Sequence, residues 1–146
     1  MDNTGRIFLP VLIVENDKER QEILKNLFKE HAWVLVNTVE RAKRLLQAFH
    51  FDIIALDFDI DGPGTGEDIA RAIAVSDNHD ATIIIHSMNG PGADKIRQIL
   101  PEAVWAPVNK ITKTNSVFKR LQKEIDKAPN IDWKYVYGSN EGDGER

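Results

Sequence analysis

Four short apolar runs, rich in β-branched residues, set the limits on what this chain can fold into: Val11-Leu12-Ile13-Val14, residues 32–36, Ile53-Ile54-Ala55-Leu56 and residues 82–85. Runs this short with no polar alternation read as strands covered on both faces, the signature of a parallel sheet. Between them the apolar spacing turns helical. Ile23, Leu24, Leu27 and Phe28 share one face over residues 18–30, and Ala42, Leu45, Leu46 and Phe49 share another over 40–49. Further helices are predicted over 67–74, 93–100 and 117–125, with a brief fifth strand at Val104-Trp105-Ala106 that Pro107 ends. The alternation of strand and helix predicts an α/β fold, a doubly wound five-stranded parallel sheet.

One domain over residues 1–128 accounts for the pattern, followed by a tail over 129–146. Trp133, Tyr135 and Tyr137 give the first part of the tail a reason to pack back. Residues 138–146 carry no apolar side chain and are predicted to be disordered. The formal net charge of -4 leaves no basic excess for an extensive nucleic-acid surface, though a small phosphorylated ligand needs only a local site. With no cysteine there is no disulfide, thiolate nucleophile or thiolate metal site. No apolar run is long enough for a membrane span, and MDNTGRIFLP has no leader pattern, so a cytoplasmic location is the expectation.

In a doubly wound sheet the ligand site lies beyond the carboxyl ends of the strands. That rule predicts the convergence of Glu15, Asn16 and Asp17, of Asp57 and Asp59, and of His86, Ser87 and Asn89. Glu15 and Asp57 in one crevice are like charges, unfavourable without a cation or a proton between them. Such an oxygen-rich site suits Mg2+ or Mn2+ held by Glu15 and Asp57, with Asp17 or Asp59 as a further ligand or a water-mediated contact; the plainer alternative is a solvated acidic rim. His86 suits proton transfer near neutral pH, against a reading as a rim histidine, while Ser87 and Asn89 suit donation to phosphate oxygens. Gly62-Pro63-Gly64-Thr65-Gly66 precedes a helix, so Thr65 and Gly66 are candidate anion binders, or else simply a turn and a cap. His31, His50 and His79 read as surface or boundary residues.

With these motifs in view, residues 8–126 resemble the response-regulator receiver family. VLIVENDKERQEIL is similar to its first strand, acidic pair and first helix, and DIIALDFDIDG to its third strand, which puts Asp57 at the phosphoacceptor position. The resemblance implies flavodoxin-like strand order and a magnesium pocket lined by Glu15, Asp57 and Asn16. Departures stand beside it. Asn16 replaces a second acidic residue, His86 precedes the hydroxyl at the end of strand four, and Ala106 stands where the family has lysine before proline. Lys110 is near but out of register.

A narrower likeness absorbs some of these differences. Asp57-Phe58-Asp59, Thr65-Gly66-Glu67-Asp68 and His86-Ser87-Met88-Asn89 resemble, in order, three elements of the cyclic-phosphate-processing receiver family, although that family often has histidine where Phe58 stands. The implied activity is a metal-dependent phosphoesterase acting on cyclic phosphates or on nucleotide or RNA phosphate ends. Asp57, Asp59 and His86 would be catalytic, and Thr65, Gly66, Ser87 and Asn89 would bind phosphate. The alternative is an atypical or degenerate receiver that signals through a protein partner.

Overall fold

The computed structural model describes residues 8–138; residues 1–7, on which much of the N-terminal reading rests, and 139–146 lie outside the described residues. Strand β1 (Pro10–Val14) runs parallel to β2 (Ala32–Val36) on one side and to β3 (Ile53–Leu56) on the other. Strands β4 (Thr82–Ile85) and β5 (Val104–Trp105) complete the sheet in the order β2-β1-β3-β4-β5. The predicted five-stranded parallel α/β sheet is therefore present. Its register matters for function: Val14 pairs with Leu56 and Leu56 with Ile85, so β1, β3 and β4 end level with one another.

The sheet's period of two sorts its side chains into two cores. Leu12, Val14, Ile54, Leu56, Ile83 and Ile85 face one layer, packed by α2 (Val39–Ala48), α3 (Gly66–Ala74) and α4 (Gly90–Ile99). Val11, Ile13, Ile53, Ala55 and Ile84 face the other, packed by α1 (Lys18–Leu27) and α6 (Asn115–Ile125). Strands β1, β3 and β4 are thus covered on both faces, which is why their sequences are continuously apolar.

Two short helices lie outside the predicted set, α5 (Val108–Ile111) after Pro107 and α7 (Trp133–Tyr137). Helix α7 packs on α6 through buried Val136. Arg120 donates to the Val136 carbonyl at 3.0 Å, and buried Glu124 accepts the Asp132 N–H at 2.8 Å. Of the stretch read as disordered only Gly138 is described, closing α7 at φ 67°. Helix α4 starts three residues earlier than the spacing predicts, because Asn89 caps it and Pro91 fits its first turn. No described helix is long and apolar enough to cross a membrane.

Candidate functional site

The level strand ends deliver Glu15, Asp57 and His86 side by side, each being the residue that follows a register-paired position. All three are buried, at 0%, 4% and 0% exposure. One ligand-capable atom from each lies within 4.8 Å of the other two, the one such trio among the described residues.

Glu15 is anchored by one oxygen and presents the other. Its Oε2 accepts the backbone N–H groups of Asn16 at 3.0 Å and Asp17 at 2.8 Å, and Arg20 Nη2 approaches to 3.1 Å. Those amides are aimed there because Asp17 caps α1, accepting the Arg20 N–H at 3.0 Å. Glu15 Oε1 has no hydrogen-bond partner and lies 3.4 Å from His86 Nδ1, which also has none. His86 Nε2 is 3.2 Å from the Val14 carbonyl. Asp57 Oδ1 accepts the Phe58 N–H at 2.8 Å, and Oδ2 is 3.9 Å from Arg20 Nη2.

Burial, with the Glu15 carboxylate alongside, pushes Asp57 up to about 7. Burial pushes His86 down to about 4, against the pull of Glu15. The two act oppositely on stability. Asp57 holds its proton better folded than unfolded, so its contribution is present below about pH 4 and is lost as pH rises through about 7. His86 is held neutral, so its contribution is present above about 6.5 and is lost as pH falls through about 4. In EDTA-treated protein Asp57→Asn should therefore gain stability on the wild type steadily between pH 4 and 7. Urea melts of both proteins across that range check this, and a pH-independent difference would contradict it.

The other predicted residues make hydrogen bonds of their own. Asn16 Nδ2 donates to Asp61 Oδ1 at 3.0 Å, and its buried Oδ1 has no hydrogen-bond partner. Asp59 is exposed and accepts from Asn89 Nδ2 at 3.1 Å. Asn89 Oδ1 accepts the Gly92 N–H at 2.9 Å, and Ser87 Oγ accepts the Asn89 N–H at 3.0 Å. Thr65 caps α3 in a reciprocal box with Asp68. Gly66 lies against the Asp57–Phe58 backbone, its N–H donating to the Phe58 carbonyl at 2.8 Å. Phe58 is buried against Gly92 and belongs to the core. Ala106 is fully buried, and Lys110 sits over the Tyr137 ring at 4.6 Å, committed to α7.

Two residues outside the predicted set, Arg20 and Asp61, join the site. Arg20 supplies its cation, and a signal existed in its position three residues after the Asp17 cap. Asp61 ties Asn16 to Asn37, whose Nδ2 donates to Asp61 Oδ2 at 3.3 Å. Beyond Asn37 opens a groove of about 590 Å³, lined in part by Thr38, Arg41, Lys43 and Pro63. Elsewhere, His31 is a buried structural residue rather than a surface one: Nδ1 accepts the Leu9 N–H at 3.0 Å and Nε2 meets Asp126 at 2.8 Å.

The sheet order and the acidic crevice at its carboxyl edge define a receiver domain, and solved receivers share the fold. The phosphorylated cyanobacterial phytochrome response regulator RcpA superposes with a TM-score of 0.62 at 15% identity, covering 92% of this chain and 93% of its own. Response regulator TrrA of Thermotoga maritima, solved in complex with Mg2+ and BeF, gives 0.60 at 20% identity, covering 78% of this chain and 99% of its own. The receiver domain of sensor histidine kinase PA1611 from Pseudomonas aeruginosa, with a magnesium ion coordinated in its active-site cleft, gives 0.57 at 17% identity, covering 80% and 99%. No curated protein matches the sequence. Residues 11–102 match the cyclic-phosphate processing receiver domain, and the chain belongs to that family.

Proposed function

We propose that the domain is a metal-dependent phosphoesterase acting on cyclic phosphates of nucleotides or RNA ends, with a divalent cation held at Glu15 and Asp57. The observation that carries this reading is a buried carboxylate pair in which Glu15 Oε1 has no partner. Two buried like charges are stabilised by a cation between them, and oxygen donors suit Mg2+ and Mn2+. A bound divalent cation polarises the phosphoryl group and lowers the pKa of a coordinated water.

The chain's own residues then orient and neutralise the phosphate. Arg20 reaches the crevice from α1 and offers its guanidinium to phosphate oxygens, the charge that receivers take from the lysine absent at Ala106. Ser87, Asn89, Thr65 and Gly66 are the residues this reading assigns to the phosphate, and exposed Asp59, bonded to Asn89, is a further carboxylate for the cation. In this reading the ligand is small, the setting cytoplasmic, and no long nucleic acid is engaged.

The signalling reading draws support from Arg20, 3.9 Å from Asp57 Oδ2, where it would neutralise an aspartyl phosphate. The two separate in one comparison. With Mg2+ or Mn2+, a panel of 2′,3′- and 3′,5′-cyclic nucleotides should yield product. Removing one preorganised charge contact costs roughly 10²–10³ in rate, so Arg20→Ala should fall by about that factor, and Asp57→Asn by at least as much. A hydroxylamine-sensitive phosphate on Asp57 after acetyl phosphate treatment, with no turnover, would favour a receiver acting through protein partners.

A further inference from the structure

We propose that the cation site is a mixed nitrogen–oxygen site, Glu15–Asp57–His86, selective for a borderline transition ion such as Fe2+, Co2+ or Zn2+ over Mg2+. This rests on the reading of the carboxylate pair as a cation site and goes beyond it in assigning His86 as a ligand.

The orientation of the His86 ring fixes its tautomer. His86 Nε2 lies 3.2 Å from the Val14 carbonyl, and a carbonyl only accepts, so Nε2 carries the proton. In the neutral imidazole Nδ1 then presents its lone pair. That lone pair has no hydrogen-bond partner, in a side chain with 0% exposure. It faces Glu15 Oε1 at 3.4 Å, a second fully buried atom with no partner. Two lone pairs held face to face away from water are costly, since each buried group goes without the hydrogen bond it would have in water. A metal ion meets both at once.

The surroundings fit ligation. Metal-bound imidazole ordinarily donates its other N–H to a carboxylate or backbone carbonyl, and the Val14 carbonyl is that partner here. Glu15 is likewise braced through Oε2 by two amides and Arg20, leaving Oε1 for a metal. Bonds of roughly 2.0–2.2 Å put donor atoms about 3–4 Å apart, and the trio's atoms lie within 4.8 Å of one another. Imidazole suits Zn2+, Fe2+ and other transition ions, whereas all-oxygen sets suit Mg2+. Three protein donors leave positions open for water and a phosphate oxygen, as catalytic sites require. With Nε2 bound to Val14 and the ring fully buried, His86 positions an ion and does not exchange protons with substrate.

The test uses EDTA-stripped full-length protein, titrated calorimetrically with Co2+ and separately with Mg2+. Wild type should bind Co2+ more tightly than Mg2+, and His86→Leu should lose roughly tenfold or more for Co2+ while Mg2+ binding changes little. Pulsed electron paramagnetic resonance on the wild-type protein loaded with Mn2+ should show nitrogen modulation from a directly bound imidazole, a readout that needs no variant to fold. Equal losses for both ions in His86→Leu, or Mn2+ bound without nitrogen modulation, would overturn His86 as a ligand and leave the carboxylate site standing. Absence of binding by any of the ions would overturn both readings together.

Discussion

Gly66→Ala should destabilise the domain by about 3 kcal/mol or more, at the upper end of what overpacking a core costs. The residue opens α3 directly beneath the site. An alanine Cβ there would lie 2.2 Å from the Asp57 carbonyl oxygen and 2.9 Å from the Phe58 Cα. Both contacts are backbone, so no rotamer change relieves them. The start of α3 and the segment after β3 must separate, and the hydrogen bond from Gly66 N–H to the Phe58 carbonyl is lost. Gly90→Ala is the internal control, because its Cβ would meet only Trp105, at an ordinary 3.5 Å. Urea denaturation should separate the two variants clearly. A Gly66→Ala protein as stable as Gly90→Ala would show that the close approach of α3 to β3 is not a fixed feature.

Asn78→Ala should cost about 3 kcal/mol, by a different mechanism: three backbone groups would lose their partner. Asn78 is fully buried in the turn over Asp77–Asp80. Its Oδ1 accepts the Phe51 N–H at 2.7 Å, and its Nδ2 donates to the carbonyls of Leu46 at 3.1 Å and Phe49 at 2.9 Å. One side chain thereby ends α2 and starts the approach to β3. Asn78→Asp should be no better, since it keeps the acceptor but turns a carboxylate toward two carbonyls. Denaturant midpoints for both variants close to wild type would mean that water replaces the side chain at no cost.

The strands were legible because parallel strands covered on both faces have continuous apolar sequences, and the site was legible because such strands end together. Val14, Leu56 and Ile85 are register neighbours, so the residues after them, Glu15, Asp57 and His86, had to meet. Arg20 was not legible in the same way. It lies on the polar face of α1, and its reach into the crevice depends on how Asp17 sets the first turn. Asn16 is adjacent to the anchor residue, yet its amide goes to Asp61, a partner 45 residues away that no local pattern marks. The start of α4 was obscured by Gly90-Pro91-Gly92. Glycine and proline read as breakers until the Asn89 cap makes them a first turn.

Whether the buried carboxylates hold a cation is read most directly from thermal stability. EDTA-stripped protein should be melted at increasing Mg2+ and Mn2+, beside Asp57→Asn. A ligand that binds only the folded state adds about 2.7 kcal/mol at a hundredfold excess over its dissociation constant. The wild-type melting temperature should climb with metal concentration, and the Asp57→Asn protein should not respond. A wild type unmoved by millimolar metal, or an equal rise in Asp57→Asn, would contradict a cation site there.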